Sequence, residues 1–579
     1  MQLSSLKISN FRGIQNAHIL FKGHTVLIGD NNAGKSTILE AIDLVLGPDR
    51  LSRLPIIDEH DFYNGKYISE NSSITEIKIE VIVTDLSEEQ IRRFKFNLEF
   101  WDNIDYLLLD ESPEHIDQEH VTEALRICFT GYYDPEEDDF TGETWFCEPQ
   151  LEDGTMTKFR KTDKRECGFL YLRALRTGSR ALSMERGSLL DIILRIRELR
   201  PKMWEDILSK LRITTVADDP ETGLNGILEN IQDALKKFVP ADWGSQPHFK
   251  VTDLTRENLR KSLNVFMSTG TEDYFAPFHH QGTGTINTMV LALLSMIAEA
   301  KQSVIFAMEE PEIAIPPYTQ KRIVNIIRKT ANQAIFTSHS PFVLEEFDPS
   351  QICLVQRKKG KLFSKNVNLP EHIKPKKYSS EFRLRFAEAL LAKRILITEG
   401  TTEATSFPAA ARKLEEIAPE VFSSFEALGI AVFDAETETQ VSTYGKYFKA
   451  LNKQVFAVFD KQTQEALEEI SENVDFAYES DYKGFEDQLL EETAIESLKR
   501  FALELVEGEL WPTHLNAYEP SSKSSDKELR ASLKRYLRWS KGAAGAAEII
   551  GGSTRKEMPI SIREIIKNIK LKVETEMGE

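Results

Sequence analysis

The sequence predicts an α/β protein with two parts, each built on strands that carry polar residues at their carboxyl ends. In the first part, the apolar run 25–28 leads into a glycine-rich loop, and a segment of helical periodicity follows. Two later apolar runs, 304–308 and 334–336, end in paired glutamates and in a Thr-Ser-His-Ser tip. Beyond a lysine-rich segment, the runs 395–397 and 455–459 end in acidic residues again. Strands that alternate with helical segments are typical of parallel sheets, whose strand ends form ligand sites.

The glycine-rich loop reads Gly-Asp-Asn-Asn-Ala-Gly-Lys-Ser-Thr and matches the phosphate loop of nucleotide hydrolases in full. In this motif the glycines turn backbone N–H groups toward the phosphates, Lys35 reaches the β and γ oxygens, and the Ser36 hydroxyl ligates Mg²⁺. The helical segment 37–46 would direct its positive end at the nucleotide. The sequence therefore predicts a site for ATP or GTP. The residues that form it are Gly29, Asn31, Asn32, Gly34, Lys35, Ser36 and Thr37.

Nucleotide hydrolysis also needs carboxylates, and the strand before Glu309 and Glu310 supplies them. In such sites the first acid holds the Mg²⁺ shell and the second polarises the attacking water, so we assign these roles to Glu309 and Glu310. The next apolar strand ends at the Thr-Ser-His-Ser tip, where His339 is placed to sense the γ-phosphate. The order of the three elements along the chain is what makes the prediction specific.

Length and composition limit the number of domains and the class of protein. The 579 residues suggest three to four domains, and the net charge of −20 argues against a protein that simply coats nucleic acid. No signal peptide and no apolar run of about 18 residues is found, so we expect a cytoplasmic protein without a membrane span. The four cysteines have no metal or disulfide spacing.

Apolar residues at helical spacing interrupt the first part and predict a helical insertion, for which we favour a dimerisation role over a packing role. A basic segment then separates the two parts. The predicted boundaries are 1–183 for the first section of the ATPase, 184–264 for the insertion, 265–356 for the second ATPase section, 357–390 for a basic linker and 391–579 for the second part with C-terminal helices.

In the second part, Glu399 and Glu403 follow one strand and Asp460 follows another. Carboxylates from separate strand ends suit Mg²⁺ or Mn²⁺, which can activate water for phosphodiester cleavage. Near the C-terminus, basic residues recur every three or four positions and share one helical face, which can track phosphates or be an ordinary solvated surface. These residues are Lys527, Arg530, Lys534, Arg538 and Lys541.

The first part resembles the ABC-type ATPases of the RecF and SMC kind, on the segment Leu-Lys-Ile-Ser-Asn-Phe-Arg-Gly at 6–13, the phosphate loop, the Glu-Glu-Pro-Glu strand and the Thr-Ser-His-Ser-Pro strand. In those ATPases a glycine-bearing signature segment completes the site across a head-to-head dimer. The segment 280–287, with Gly282 and Gly284, is a variant of that signature. The resemblance implies an ABC-type head that binds ATP and works as a homodimer or larger homo-oligomer.

The second part resembles the Rossmann-like Toprim domain of topoisomerases, primases and the OLD (overcoming lysogenization defect) nucleases. Glu399 and Asp460 match its pattern, whereas Gln462 stands where a second acid is usual. Candidates to replace that acid are Glu403, which is the strongest because it resembles the two-metal OLD arrangement, Asp434 and Glu486. By the same resemblance, Lys541 occupies the place of a late lysine that stabilises the phosphoryl transition state.

The order of the two parts makes an OLD-family endonuclease the leading hypothesis, with ATP as the control ligand and DNA cut at the Toprim site. The family resemblance implies a role in phage defence, as in Gabija-type and retron-associated systems, with a helicase or a reverse transcriptase and its nucleic acid as a partner. The alternative is a RecF-like repair ATPase whose Toprim-like half binds DNA without cutting, which the exchange at Gln462 favours. A topoisomerase is disfavoured because no domain with a nucleophilic tyrosine is found.

Overall fold

The structure is a computed structural model, and it describes most of the chain. The described residues are 1–48, 56–69, 73–109, 120–149, 156–172, 182–185, 188–196, 200–213, 224–235, 255–268, 275–282, 286, 289–290, 292–293, 296–297, 304–313, 315–370, 373, 378, 383–540 and 545–577. The chain forms two compact units. The first consists of Met1–Leu27, Asn32–Phe347 and Val355–Ser364, and the second of Ile28–Asn31, Asp348–Leu354 and Lys365–Glu579.

Thirteen strands of the described residues form one large mixed sheet. In chain order these are β1 (Gln2–Phe11), β2 (Ile14–Leu20), β3 (Thr25–Ile28), β4 (Ile77–Thr84), β5 (Leu98–Asp102), β6 (Leu107–Leu109), β7 (Val121–Asp134), β8 (Asp139–Phe146), β9 (Phe169–Leu172), β12 (Ile305–Glu309), β13 (Gln333–Thr337), β14 (Ile352–Lys358) and β15 (Lys361–Asn366). Strands β10 (Phe266–Ser268) and β11 (Phe275–Pro277) pair separately. The order in the large sheet is β6-β5-β7-β4-β1-β2-β15-β14-β3-β13-β12-β9, and β8 pairs with β7.

The sheet has an antiparallel half and a parallel half. Strands β1, β2, β4 and β7 pair antiparallel, whereas β3, β13, β12 and β9 run parallel. The parallel strands are short and almost wholly apolar, as expected for strands buried on both faces. Their carboxyl ends lie at one edge, which is where the sequence puts the phosphate loop, Glu309 and the Thr-Ser-His-Ser tip.

The helices of the first unit include those of the insertion. They are α1 (Lys35–Leu46), α2 (Glu88–Phe94), α3 (Lys161–Glu166), α4 (Leu189–Ile196), α5 (Arg200–Ile213), α6 (Leu224–Leu235), α7 (Arg256–Ser262), α8 (Pro317–Thr330) and α9 (Pro341–Leu344). Helices α4 to α7 fall within the range predicted for the insertion. There Trp204, Leu208 and Leu259 form a small buried cluster, with the Arg260 guanidinium 5.7 Å from the Trp204 ring centre.

The structure of the basic segment differs from the linker predicted over 357–390. Strands β14 and β15 are neighbours in the large sheet, and Lys359 and Gly360 form the turn between them with φ of 49° and 80°. Positive φ at both turn positions matches the twist of a two-residue hairpin. Leu354, Val355 and Leu362 are buried in these strands, so apolar burial outweighs the local charge. The start of the predicted linker is therefore sheet, and α10 (Arg383–Leu391) precedes the predicted start at 391.

The second unit contains a four-stranded parallel sheet with the order β17-β16-β18-β19. Its strands are β16 (Arg394–Thr398), β17 (Ile430–Asp434), β18 (Gln454–Phe459) and β19 (Phe476–Glu479). Besides α10, its helices are α11 (Thr401–Ile417), α12 (Glu438–Ala450), α13 (Gln464–Asn473), α14 (Phe485–Glu492), α15 (Ile495–Glu507), α16 (Asp526–Ser540), α17 (Gly545–Gly551) and α18 (Ile560–Met577). One buried apolar cluster joins residues of α11, β18 and the helices from α14 onward. This arrangement is the predicted Rossmann-like domain with C-terminal helices.

A search of the described residues for a helix both long and apolar enough to cross a membrane finds none.

Candidate nucleotide and metal sites

The phosphate loop has the backbone that its glycines predict. Gly29 and Gly34 have φ of 152° and 100°, values that residues other than glycine rarely adopt. Helix α1 begins directly after Gly34, whose carbonyl accepts the Ile38 N–H at 3.0 Å. Lys35 is buried in the first turn of this helix and Ser36 is exposed there. The loop therefore presents backbone N–H groups and a helix amino end, which together suit an anionic ligand.

The paired glutamates lie at the end of β12, beside the Thr-Ser-His-Ser tip of β13. Glu309 stands opposite Thr337 in the parallel register, and the Tyr171 hydroxyl donates to its Oε1 at 2.5 Å. Glu310 has a positive φ of 42°, and its N–H donates to the Thr337 carbonyl at 2.9 Å. A side-chain hydrogen bond thus positions Glu309, and a backbone hydrogen bond positions Glu310. Tyr171 was missed by the sequence analysis because its strand, β9, is far away along the chain.

A third acid, Glu312, connects the two strand ends. Its carboxylate accepts the His339 N–H at 2.6 Å and the Ser338 hydroxyl at 3.0 Å. Burial raises the pKa of Glu312, and the neighbouring Glu310 raises it further. Glu312 therefore acts as a positioning residue for His339, whose side chain is exposed. It follows the two assigned glutamates in the Glu-Glu-Pro-Glu motif, so the motif itself was the available signal.

Part of the predicted signature segment lies outside the described residues. Gly282 is described, whereas Gly284 is not. Its contact with a nucleotide therefore stays a prediction.

The predicted metal-binding carboxylates come from two neighbouring strands of the second sheet. Thr398 pairs with Val458 in the parallel register of β16 and β18, so Glu399 and Asp460 emerge at the same edge. The Asp460 N–H donates to Glu399 Oε2 at 3.0 Å. Glu403 lies one turn into α11 with 6% of its surface exposed, and Glu486 lies in the first turn of α14.

These carboxyl groups raise one another's pKa values. Burial raises the pKa of Glu403 to about 8, with further contributions from Asp460, Glu399 and Glu486. Burial likewise raises the pKa of Asp460 to about 7, with Glu399 and Glu486 the next contributors. Burial also raises the pKa of Glu399. Partly buried carboxylates that repel one another favour a bound cation, which neutralises them together.

Donor chemistry therefore fits Mg²⁺ or Mn²⁺, which prefer carboxylate oxygens. Among the described residues, however, no three acidic, histidine or cysteine side chains already converge as ligands of one ion. Glu399 Oε2 instead accepts a backbone N–H, as described above. A shared cation thus requires these side chains to rotate toward one point.

Gln462 occupies the place of the usual second acid, and its amide faces the site. Its Nε2 donates to the Asp460 carbonyl at 3.1 Å and to Glu399 Oε2 at 3.4 Å, while its own N–H donates to Glu479 Oε1 at 2.8 Å. An amide nitrogen in this position stabilises the ionised form of Glu399 and adds no charge of its own. Glu479 is an acid that the sequence analysis did not single out, although it ends β19.

Asp434, one of the candidate replacements, is engaged elsewhere. Its carboxylate accepts the Thr401 hydroxyl at 2.7 Å and the Glu436 N–H at 2.8 Å, and it lies 3.7 Å from the Arg385 guanidinium. These residues line a cavity of about 530 Å³ at the ends of β16 and β17, on the side of β16 away from β18. Asp434 is therefore a structural partner of Arg385, and Glu403 and Glu486 are better placed as candidates.

The predicted basic helix is largely present as α16, but Lys541 lies outside the described residues. Lys534 pairs with the carboxylate of Asp487 on α14. Leu529, Leu533 and Leu537 of the same helix are buried.

Two protein families match this chain. A family model described as an AAA ATPase domain matches residues 1–167 and 168–344, which is more than half of the chain. A second, described as the TOPRIM domain of overcoming lysogenization defect protein-like proteins, matches residues 390–461. The second match contains Glu399, Glu403 and Asp460.

Individual proteins are also similar to this chain. The "Old nuclease" of Escherichia phage P2 is 21% identical over 440 residues, which cover 72% of this chain and 70% of that protein. Among solved structures, the SMC head domain from Thermotoga maritima has 14% identity and a TM-score of 0.30, over 64% of this chain and all of that one. A Pyrococcus furiosus Smc head with an extended coiled coil has 12% identity and a TM-score of 0.33, over 63% of this chain and 96% of that one.

Proposed function

This chain belongs to the OLD-like family of nucleases, in which an AAA-type ATPase domain precedes a TOPRIM domain, and from that premise we propose that it is a metal-dependent DNA endonuclease controlled by ATP. The observation that carries the proposal is the group of half-buried carboxylates at the ends of β16 and β18. Burial and mutual repulsion disfavour their ionised forms, and a divalent cation bound among them would offset both effects.

We assign the metal ligands of the cutting site to Glu399, Glu403, Asp460 and Glu486. What a bound cation supplies there is charge neutralisation at the phosphodiester and a lower pKa for the attacking water. Glu399 accepts the Asp460 N–H and the Gln462 amide N–H, and it would exchange these contacts for a bound cation. Glu403 is buried beside these groups, at the start of α11. Lys541 is proposed to stabilise charge on the transferred phosphoryl group.

The nucleotide site is proposed to act as the control site. Gly29, Asn31, Asn32, Gly34, Lys35, Ser36 and Thr37 are assigned to bind ATP, with Ser36 and Glu309 as ligands of its Mg²⁺. Glu310 is assigned to polarise the attacking water, and His339, whose N–H donates to Glu312, is assigned to sense the γ-phosphate. We propose a homodimer or larger homo-oligomer as the working form.

A second candidate is a DNA-binding ATPase whose TOPRIM domain does not cut. The specific observation in its favour is Gln462, which puts an amide where a second acid would strengthen cation binding. In that case the carboxylates would have a structural role only.

The deciding experiment incubates supercoiled plasmid with the purified chain and Mg²⁺ or Mn²⁺, with and without ATP. The variants are Glu399→Gln in the cutting site, Lys35→Ala in the phosphate loop and Glu465→Gln as a control, since Glu465 is an exposed acid on α13. We expect Glu399→Gln to abolish nicking and Glu465→Gln to retain it. Lys35→Ala should change the dependence on ATP.

Cation binding is measured separately by the shift in thermal unfolding with Mn²⁺. Stabilisation of the natural chain that Glu399→Gln loses supports the assigned ligands. Intact plasmid under every combination of metal and nucleotide, with no Mn²⁺-dependent shift, would overturn the nuclease proposal in favour of the DNA-binding ATPase.

We further propose a role in defence against phages, with a helicase or a retron reverse transcriptase and its nucleic acid as a partner. Its support is the family resemblance. Plating of phages on cells that express the natural chain with its genomic neighbours, or the Glu399→Gln variant, tests this role. Equal plating on both would contradict it.

A further inference from the structure

Helix α16 and the short 3-10 helix Thr513–Tyr518 before it carry an exposed aromatic and basic surface, which we call the stacking face. Trp539 has 53% of its surface exposed and Tyr518 has 47%. Arg535 and Arg538 are exposed beside them, and the His514 ring centre lies 5.6 Å from that of Trp539. Exposed aromatic side chains that cluster with basic residues, unlike single exposed ones, can mark a ligand-binding surface.

Trp539 is held from below by buried rings. Its ring centre lies 5.9 Å from that of Tyr536, and Tyr536 stacks on Trp511 at 5.5 Å with an interplanar angle of 19°. Tyr536 and Trp511 are 8% and 7% exposed, and the Trp511 indole N–H donates to the Leu515 carbonyl at 3.1 Å. The indole of Trp539 thus packs against buried rings on one side and is exposed to solvent on the other.

Arg535 is held over another ring. Its guanidinium carbon lies 3.4 Å from the ring centre of Tyr518, close enough for a cation–π contact. Within the part of the chain that the structure describes, neither Arg535 nor Arg538 has a carboxylate partner. These two positive charges are therefore available to a ligand, on a chain whose net charge is −20.

The same helix also reaches the proposed cutting site. Lys534 pairs with Asp487, which follows the proposed ligand Glu486 and is one of the charges that raise the pKa of Asp460. Arg530, one turn earlier, has a buried Nη1 without a hydrogen-bond partner and lies near Tyr482 in the loop after β19. A polymer bound along α16 would consequently pass from the stacking face toward the carboxylates.

We propose that the stacking face binds single-stranded DNA, with an unpaired base stacked on Trp539 and its phosphates paired with Arg535 and Arg538. This inference rests on the proposed function, since it names the form of DNA that is presented to the cutting site. An aromatic ring flanked by arginines is the combination that binds unpaired nucleotides without sequence preference. Inside a duplex each base is stacked between its neighbours, so its faces are closed to Trp539.

The test measures fluorescence anisotropy of labelled oligonucleotides with the full chain in EDTA, so that binding is observed without cutting. The probes are a mixed-sequence single strand, a blunt duplex of the same length and an abasic strand that retains the phosphates. We expect the single strand to bind at least about tenfold more tightly than the abasic strand, the factor that one stacked base supplies.

The variants separate stacking from charge. Trp539→Ala should weaken single-strand binding about tenfold and leave duplex and abasic binding within about twofold. Trp539→Phe should restore most of the loss. Arg538→Gln, at an exposed position, should weaken all three probes. Phe96→Ala, at an 85% exposed aromatic in the first unit, is the matched control and should change nothing.

The inference is overturned if Trp539→Ala binds the single strand as well as the natural chain does, or weakens all three probes equally. Its failure is distinguishable from that of the proposed function. A chain that cuts plasmid but shows no Trp539-dependent binding retains the nuclease proposal alone. A chain that binds single strands through Trp539 but cuts nothing under any condition retains the stacking face and loses the nuclease proposal.

Discussion

At the scale of single residues, the proposed cutting site depends on one glycine. Gly400 separates Glu399 from α11, and a Cβ at this position would lie 3.1 Å from Glu403 Oε2. Its φ of −147° is open to any residue, so the absence of a side chain matters for space and not for backbone conformation. Glycine here leaves Glu403 room beside Glu399.

Gly400→Ala should therefore impair the site without unfolding the chain. The new methyl group displaces the Glu403 carboxylate by a few tenths of an ångström, and misplacement of catalytic groups is costly in rate. We expect plasmid nicking to fall about tenfold while thermal unfolding changes little. Gly551→Ala is the control, since no atom would lie within 4 Å of its Cβ. Equal rates for both variants would show that Glu403 is not needed in its present position.

At the scale of elements, the hairpin of β14 and β15 and the end of α1 each depend on one residue. The hairpin turn is tight because Gly360 has a φ of 80° and its missing Cβ would lie 2.6 Å from Tyr63 Cζ. Helix α1 ends against a buried amine, since Lys164 Nζ donates to the Leu44 carbonyl at 2.6 Å. Helix carbonyls at this end have no partner within the helix, and Lys164 satisfies one of them.

Replacement of Gly360 tests the hairpin. Gly360→Ala introduces both backbone strain and a clash with Tyr63, whereas Gly23→Ala introduces strain alone, because Gly23 has a φ of 73° and nothing within 4 Å. We expect Gly360→Ala to lower the free energy of unfolding by at least about 1 kcal/mol more than Gly23→Ala does. Urea unfolding of both variants measures the difference, and equal losses would mean that the ring of Tyr63 moves aside freely.

Replacement of Lys164 tests the end of α1 through pH. Burial lowers the pKa of Lys164 from 10.5 to about 7, so between these values the amine is neutral when folded and charged when unfolded. The unfolded state then binds one more proton, and the free energy of unfolding rises with pH by up to about 1.4 kcal/mol per unit. Lys164→Met should remove this rise between pH 7 and 10. Lys95→Met, at an exposed lysine, should keep it; a rise unchanged in Lys164→Met would contradict the assignment.

At the scale of the whole molecule, charge is distributed unevenly. The chain carries −20 overall, yet the basic residues of α16 stand together beside the stacking face. DNA must therefore be held by a few local contacts against a general repulsion.

Salt dependence measures how many contacts there are. Each phosphate neutralised on a single strand contributes about −0.7 to the slope of log K against log salt concentration. With three or four contacts from α16 we expect a slope of about −2 to −3, and Arg538→Gln should make it shallower by about 0.7. A much steeper slope that Arg538→Gln leaves unchanged would place the DNA on another surface.

Much of the organisation was accessible from the sequence because it is local. The phosphate loop, the Glu-Glu-Pro-Glu strand and the acids after β16 and β18 are short segments, each with its own strand and turn pattern. The α/β class and the family of nucleases followed from their order and are confirmed. The linker predicted from 357 onward overlaps the hairpin of β14 and β15, because the many lysines there outweigh a few buried apolar residues in a local pattern.

What the sequence by itself determined is which chemical groups stand at the strand ends, since a strand, its last residue and the following turn are neighbours along the chain. What only the tertiary structure decided is which of those groups meet. Parallel pairing of β16 with β18 brings Glu399 to Asp460, and it sets Asp434 on the other side with Arg385. Pairing of β9 with β12 likewise brings Tyr171 to Glu309. Such contacts join residues tens to more than a hundred positions apart, and they depend on strand order and register, which no local pattern contains.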